Sequence, residues 1–291
     1  MPDHAAYEKL LQYKIPEVEQ QLTKRDTMLY ALGVGLGADP MDEKQLQFVY
    51  EKNLAALPTM AVVLAAPHAW LKGTGTGFGA KSVHGEQTFT IHKPIPVEGA
   101  LVGVPKLHSV LDKGIEGGKN RGAVIATERK VYDKKTGDLI ATLMSSSFCR
   151  GDGGFDGPKG PSRDPHPIPA GAPSASCDLA TLPQAALIYR LSGDYNILHS
   201  DPEHAQKVGF PRPILHGLCT FGVAGHAILK TLCGYDTARF KSMEARFSSP
   251  VYPGETLRTE MWQSGKVVSF RCTVPARDNV VVLNNGKAEI A

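Results

Sequence analysis

The residues with the clearest chemical content lie between Tyr189 and Pro202, where Asp194-Tyr-Asn196-Ile-Leu-His199 packs a carboxylate, an amide and an imidazole into one short run. An Asp and a His with ordinary pKa values of about 3.9 and 6.5 form a workable acid and base pair near neutrality. Together they can hold one water and pass its two protons in opposite directions. Gly193 suits the left-handed position that ends a helix beginning near Leu182. Asp201-Pro202 reads as an N-cap with Pro in the first helical position, opening a short helix that Gly209 closes. The three polar residues therefore fall on a loop pinned at both ends, where catalytic groups collect. Taken alone, the segment also admits a plainer reading, with Asp194 in a turn and Asn196 bonding its own backbone.

A second segment, Gly209-Phe-Pro-Arg-Pro-Ile-Leu-His-Gly217, leads through two prolines into Leu218-Cys-Thr-Phe-Gly-Val-Ala-Gly-His-Ala-Ile-Leu-Lys-Thr-Leu232, which is apolar on nearly every face. Such a helix belongs in a core, wrapped by a sheet. Gly217 falls among its first residues, so its N–H points out of the helix end, reinforced by the helix dipole. That arrangement can bind a carbonyl oxygen as it becomes an oxyanion. For a lone Gly at this place, close packing is the stronger explanation.

Around these segments the chain of 291 residues divides near its midpoint. From Gly151 to Ser176, 12 of 26 residues are Gly or Pro, with X-Pro steps at Gly157-Pro158, Gly160-Pro161 and Asp164-Pro165. This is the composition of an extended linker. It predicts an N-terminal unit over 1–150, a linker over 151–176 and a C-terminal unit over 177–291 carrying the acid/base residues. The two units echo each other. Pro94-Ile-Pro-Val-Glu-Gly99 and Pro250-Val-Tyr-Pro-Gly254 each precede three strand-like runs rich in Val, Ile, Thr and Phe, with turns at Lys134–Gly137 and at Arg277-Asp278-Asn279. Val124–Tyr132 and Val267–Val274 alternate with the period of a half-buried strand. Where the second unit has its apolar helix, the first has Pro58–Leu71 and then Gly73-Thr-Gly-Thr-Gly-Phe-Gly79, far poorer in helix formers. The expectation is a duplicated α+β unit in which one copy has lost or shortened its central helix.

Composition narrows the function classes. The hydrophobic fraction is 42%, the charged fraction 21% and the formal net charge only +3, without the basic footprint that nucleic-acid binding requires. Five cysteines are scattered with no C-x-x-C pair, which fits a reducing intracellular compartment better than a disulfide framework. No run of about 18 apolar residues predicts a membrane span. No signal peptide is read at Met1-Pro2-Asp3-His4, and the end, Ala288-Glu-Ile-Ala291, is not a peroxisomal tripeptide. Cytoplasm and peroxisomal matrix both stay open.

Ser192–Pro202 and Pro213–Gly222 together resemble the R-specific (type 2) enoyl-CoA hydratase, or MaoC-like, family, which includes the hydratase part of peroxisomal multifunctional enzymes. The resemblance extends to Phe240–Phe247 and Pro250–Trp262, and in the first half to Tyr30–Gly35, His84-Gly-Glu-Gln87 and Val110–Gly114. It covers nearly the whole chain, departing at Tyr195, where the family usually has Trp, and at Ile197, where it has Pro. It implies a double hotdog fold, each copy a sheet wrapped around a helix, with the first helix sacrificed to admit an acyl chain. It implies a hydro-lyase acting on an acyl-CoA thioester in fatty-acid metabolism, with neither metal nor redox cofactor, as a homodimer. Asp194 and His199 would bind the catalytic water, Asn196 would position them, and Gly217 N–H would hold the thioester oxygen. His84, Gly85, Lys113 and Phe247, with Tyr195, Ile197 and Leu198 of the loop, would contact the substrate.

Other readings rank lower. A carrier-protein dehydratase keeps the fold and changes the thioester carrier, and a hotdog thioesterase fits D-x-N-x-x-H poorly. A non-catalytic acyl or sterol binder would keep the pocket without turnover. His199, Asp201 and His204 match no strong metal-binding spacing. Gly75–Ser82 resembles a P-loop but has Ala80 in place of its last Gly.

Overall fold

The computed structural model describes residues 2–160 and 164–291, so Pro161 of the predicted linker lies outside the described residues. The strands are β1 (Val18–Leu22), β2 (Ser82–Ile91), β3 (Gly99–Asp112), β4 (Ile115–Glu116), β5 (Lys119–Asn120), β6 (Ala123–Asp133), β7 (Leu139–Cys149), β8 (Ala175–Ala180), β9 (Phe240–Phe247), β10 (Thr256–Ser264), β11 (Val267–Val274) and β12 (Val280–Ile290). The helices are α1 (His4–Gln12), α2 (Lys24–Gly33), α3 (Glu43–Leu46), α4 (Trp70–Gly73), α5 (Ala185–Tyr189), α6 (Pro202–Lys207) and α7 (Gly217–Cys233). β4 and β5 form a small hairpin, and the other ten strands make one sheet in the order β1-β3-β6-β7-β2-β9-β12-β11-β10-β8. Every pairing in it is antiparallel. Five strands come from each half of the chain, and the halves join where β2 pairs with β9. Across that seam Arg246 stands opposite Glu86, and its Nε donates to the carboxylate at 2.9 Å.

α7 is the apolar helix foreseen in the sequence. Residues Cys219 to Leu229 are all buried, and the helix packs on β8, β9, β10 and β12. Gly222 and Gly225 each cost about 1 kcal/mol of helix propensity. Burying Phe221, Val223, Ile228 and Leu229 returns roughly 1.5–3 kcal/mol apiece, so packing decides the matter. Gly225 is needed for a close approach: a Cβ there would lie 2.2 Å from Thr59 Cγ2. Thr59 belongs to a 3-10 helix over Pro58–Val63, which packs on α7, β2, β7 and β9. This short segment stands beside α7 where a second central helix would run, with the end of α2 also in contact through Gly33 O and Val34 O, which accept from Cys219 Sγ and His226 Nδ1. β-Branched Val62 and Val63 at its end suit no longer helix. The loss of a central helix from one copy is thus seen directly.

The Gly/Pro-rich stretch behaves differently from an extended linker at its start. Phe155 is buried with Tyr7, Leu10 and Phe78 in a second, smaller core. The Asp112 carboxylate accepts from Gly154 N at 2.7 Å and from Asp156 N at 3.0 Å, and Asn120 Nδ2 donates to Gly153 O. Composition alone could not show this, because the groups that satisfy the loop come from β3 and the β4–β5 hairpin. The predicted helix from Leu182 is also shorter, starting at Ala185, although it runs through a 3-10 turn to Gly193 at φ 120°.

Candidate active site

The loop bearing the acid/base residues is built by local hydrogen bonds. Asp194 Oδ1 accepts from Asn196 N and Asn196 Oδ1 from Leu198 N, each at 3.1 Å. A 3-10 turn over Ile197–His199 follows, and Asp201 caps α6 by accepting from the N–H groups of Glu203 and His204. Asp201 is therefore occupied as a cap and His204 sits on α6, away from the cluster described next.

The chain turns back so that His216, the N-cap of α7, lies on His199. Their rings stack with centroids 3.7 Å apart and planes 27° apart. On its far side His216 packs on Tyr189, at 5.1 Å between centroids. A carboxylate oxygen of Asp194 and one ring nitrogen each of His199 and His216 all lie within 4.8 Å of one another.

Hydrogen bonds set the tautomers. His199 Nδ1 lies 2.8 Å from Ile214 O, and His216 Nε2 lies 3.1 Å from the main-chain oxygen of Asp194. A carbonyl only accepts, so both nitrogens carry their protons there. Neutral His199 then presents Nε2 with a free lone pair, and neutral His216 presents Nδ1, which is buried without a partner. Burial pushes the His199 pKa below the usual imidazole range. His216 is pushed down to about 4, by burial first and by the adjoining His199 second. Both rings are neutral in the folded protein at pH 7.

Gly217 is the first residue of α7, so its N–H has no carbonyl within the helix to bond. A Cβ on Gly217 would lie 3.1 Å from the Phe247 ring. That ring, from β9, also packs on His84 at 4.6 Å between centroids. Phe247 thus joins the helix start to β2, where His84 Nε2–H donates to Glu86 O at 3.1 Å. Burial drives His84 down to about 4. Gly85 is the extra residue of a β-bulge between His84 and Glu86, and a Cβ there would lie 2.9 Å from Ser146 Oγ.

Asp194 and His84 open on a cavity of about 140 Å³, with Leu218 and Tyr189 among its other walls. Its far side belongs to the first half of the chain: Val62, Val63, His68, Gln87, Thr127, Arg129, Leu143 and Ser145. The space sits over the inner face of the sheet, where a full central helix is missing.

The remaining sequence-derived site residues lie outside that lining. Lys113 Nζ donates to Gly160 O at 2.6 Å. Tyr195 and Ile197 are exposed on the outer side of the loop, with the Arg190 guanidinium 4.8 Å from the Tyr195 ring centre. Leu198 is half-buried beneath them. Conversely, His216, His68 and Arg129 were not singled out from the sequence. His216 precedes the oxyanion-type Gly217 directly, a position that advertises it. Arg129 shares a strand face with Thr127 and Val131, so period-2 alternation marks it as a charge pointing inward. Nothing local marks His68.

Comparison with known proteins agrees with this architecture. Residues 20–151 match the MFE-2 hydratase 2 N-terminal domain and residues 166–284 match the MaoC like domain. The peroxisomal enoyl-CoA hydratase 2 of Arabidopsis thaliana is 39% identical over 94% of this chain and 92% of its own length. Peroxisomal multifunctional enzyme type 2 of Mus musculus is 38% identical over 94% of this chain, which spans 37% of that longer protein. Among solved structures, a MaoC-like dehydratase from Phytophthora capsici superposes with a TM-score of 0.83 at 36% identity, covering 98% of both chains. A double hotdog protein from Mycobacterium tuberculosis, 16% identical with a TM-score of 0.59, shares the fold. With a relative 39% identical over 94% of this chain and 92% of its own length, and a hydratase 2 N-terminal domain followed by a MaoC-like one, the chain belongs to the MaoC-like dehydratase family of double hotdog proteins, in its hydratase 2 branch.

Proposed function

We propose that this protein is a hydro-lyase that reversibly hydrates trans-2-enoyl-CoA to (R)-3-hydroxyacyl-CoA in fatty-acid metabolism. The observation that carries the reading is the meeting of Asp194 and His199, with Nε2 of His199 free, beside the N-terminus of α7. The thioester oxygen accepts from Gly217 N–H, which draws electron density from the double bond and makes C3 electrophilic. A water donates to His199 Nε2 and to the Asp194 carboxylate. Its oxygen bonds to C3 as one O–H bond breaks, and that proton moves to His199 Nε2. The electron pair passes through C2 to the thioester oxygen. The enolate then collapses, C2 takes the proton, and His199 returns to its neutral form. Asp194 holds the water's second hydrogen and stabilises the transient imidazolium; Asn196 shapes the loop that carries both. His84, Gly85, Phe247, Lys113, Tyr195, Ile197 and Leu198 are assigned to substrate contact by family position, His84 having the further support that it lines the cavity with Asp194.

No metal or redox cofactor is required by this sequence of steps, since one base and one oxyanion donor balance every proton. We further propose a homodimer, supported by exposed Leu187, Leu191, Tyr195 and Ile197 on and after α5, and testable by light scattering. The compartment is proposed as reducing, in the peroxisomal matrix or the cytoplasm. Its support is five free cysteines and relatives named as peroxisomal. Among the described residues no helix is long and apolar enough to cross a membrane.

The test is loss of enoyl-thioester absorbance when purified protein meets trans-2-enoyl-CoAs of several chain lengths, with chiral analysis of the product. Rapid loss giving the R alcohol is expected. Turnover of carrier-protein thioesters alone would move the assignment to a carrier-protein dehydratase. Binding without turnover of either would leave an acyl binder.

A further inference from the structure

The wall of the cavity opposite Asp194 is built in rows across β2, β7 and β6. His84 stands opposite Ser147, Gln87 and Thr127 stand on either side of Ser145, and Phe89 and Arg129 on either side of Leu143. Thr127 and Ser145 hydroxyls bond each other at 3.0 Å, and Gln87 Nε2 donates to Thr88 O and Met144 O. The third row is hydrocarbon except for Arg129. Its Nη2 donates to Ala61 O and Val62 O at 3.3 and 2.8 Å, at the end of the 3-10 helix that replaces the missing α-helix. Among the described residues it makes no salt bridge, and its buried Nε has no hydrogen-bond partner. Burial lowers its pKa to about 10, so the guanidinium is charged at neutral pH.

An alkyl tail entering this space would desolvate the cation and offer it nothing in exchange. A carboxylate would meet a planar donor whose orientation two main-chain carbonyls already set. The catalytic carboxylate of Asp194 opens on the same cavity, so like-charge repulsion would keep an anionic tail at the Arg129 end. Four residues of β7 separate the His84 row from the Arg129 row, on the order of 13 Å at the rise of a strand. That span leaves room for a short aliphatic connector.

We infer that Arg129, with Thr127 and Ser145, reads the far end of the acyl group, and that the preferred substrates are trans-2-enoyl-CoAs ending in a carboxylate. This rests on the hydratase reading above and narrows its substrate class.

The test compares kcat/KM for ω-carboxylated and methyl-ended trans-2-enoyl-CoAs of equal length, across a length series, in the wild-type chain and in Arg129→Met. Within one variant the ratio cancels any damage shared by both substrates, including loss of the bonds to Ala61 and Val62. The wild type should favour the carboxylated series, and Arg129→Met should lower that ratio about tenfold to a hundredfold, the range commanded by a hydrogen-bonded charge pair. Arg129→Lys, which keeps the charge and loses the fork, should fall between the two. A wild-type preference for methyl-ended substrates, or a ratio unchanged in Arg129→Met, overturns the inference. If Arg129→Met does not fold, the wild-type ratio and Thr127→Val, expected to lower it by a few-fold, decide the matter. If no enoyl-CoA is hydrated at all, the hydratase reading has failed by itself. Calorimetric binding of ω-carboxyacyl-CoA against acyl-CoA then tests the anion site separately, equal affinities sinking it.

Discussion

His199 and His216 stack ring on ring at 3.7 Å, and each donates its one proton to a main-chain carbonyl, so the pair carries two free lone pairs and no charge. A proton received by His199 therefore has a neutral neighbour, whereas two protons on the stack would repel at contact distance. This suits the proposed mechanism, in which His199 takes up one proton and gives it back.

Substituting either acid/base residue should remove turnover while leaving the fold. Asp194→Asn and His199→Ala are expected to lower kcat by about 10²–10⁴-fold, with KM within a few-fold and the thermal midpoint nearly unchanged. Steady-state kinetics with a melting curve checks this; near-normal turnover in either variant would remove the residue from the mechanism.

His216→Phe keeps an aromatic ring on His199 but loses the donor to Asp194 O. We expect kcat to fall by roughly tenfold to a hundredfold, since a charge-neutral hydrogen bond that shapes the loop is lost from the reacting geometry. KM should move little. A rise confined to KM, with kcat unchanged, would show that His216 serves binding and not the placing of Asp194.

Gly217→Pro removes the oxyanion donor, and Gly217→Ala, which adds the same Cβ 3.1 Å from the Phe247 ring but keeps the N–H, is its steric control. Proline is tolerated at the first helical position, and His216, at φ −58° and ψ 135°, already has the extended backbone that a following proline demands. Helix content should persist while kcat falls by about 10²–10³-fold, the usual cost of one oxyanion donor. Circular dichroism beside the kinetics separates a lost donor from a lost helix.

Five histidines, the buried His199, His216 and His226, the half-buried His84 and the more exposed His68, have pKa values lowered by desolvation, with His84, His216 and His226 at about 4. The unfolded chain would take up these protons near pH 6.5, while in the folded protein His84, His216 and His226 resist doing so until near pH 4, and His68 and His199 are shifted in the same direction. Stability from this source is complete above about pH 6.5 and is lost as pH falls toward 4. Urea midpoints measured across that window should decline steadily with acid. Activity should decline too once His199 is protonated, and a fold that strengthened with acid in this range would contradict the neutral assignment.

Chelation should change nothing. Asp194, His199 and His216 form a cluster that a divalent ion could in principle bridge, but the proposed steps use these groups as bare acid and base. Protein dialysed against a strong chelator is expected to keep full activity. A loss restored by one added divalent ion would replace acid/base activation of the water with metal activation.

Much of the frame was legible residue by residue, because the interactions that form it are local. Asp194 and Asn196 bond to the N–H two residues on, Asp201 caps the helix that Pro202 opens, and Gly193 takes its positive φ where a helix stops. The apolar run after Gly217 states its own burial, whereas the approximate alternation in Val124–Tyr132 and Val267–Val274 marks them as strands without giving their burial, since Val124, Ile125 and Ala126, and Val268, Ser269 and Phe270, are buried in succession. The duplicated sheet, the one surviving central helix and the loop from Asp194 to His199 are thus readable from residue types and spacing. That His216 lies on His199, that Phe155 leaves the supposed linker for a core, and that Arg129 lines the cavity with no salt bridge among the described residues emerges only from the folded chain. Each of these depends on strand register and on packing between segments far apart in the chain. Local hydrogen bonding and hydrophobic period carry no record of such contacts, so they exist only once the sheet has closed around α7.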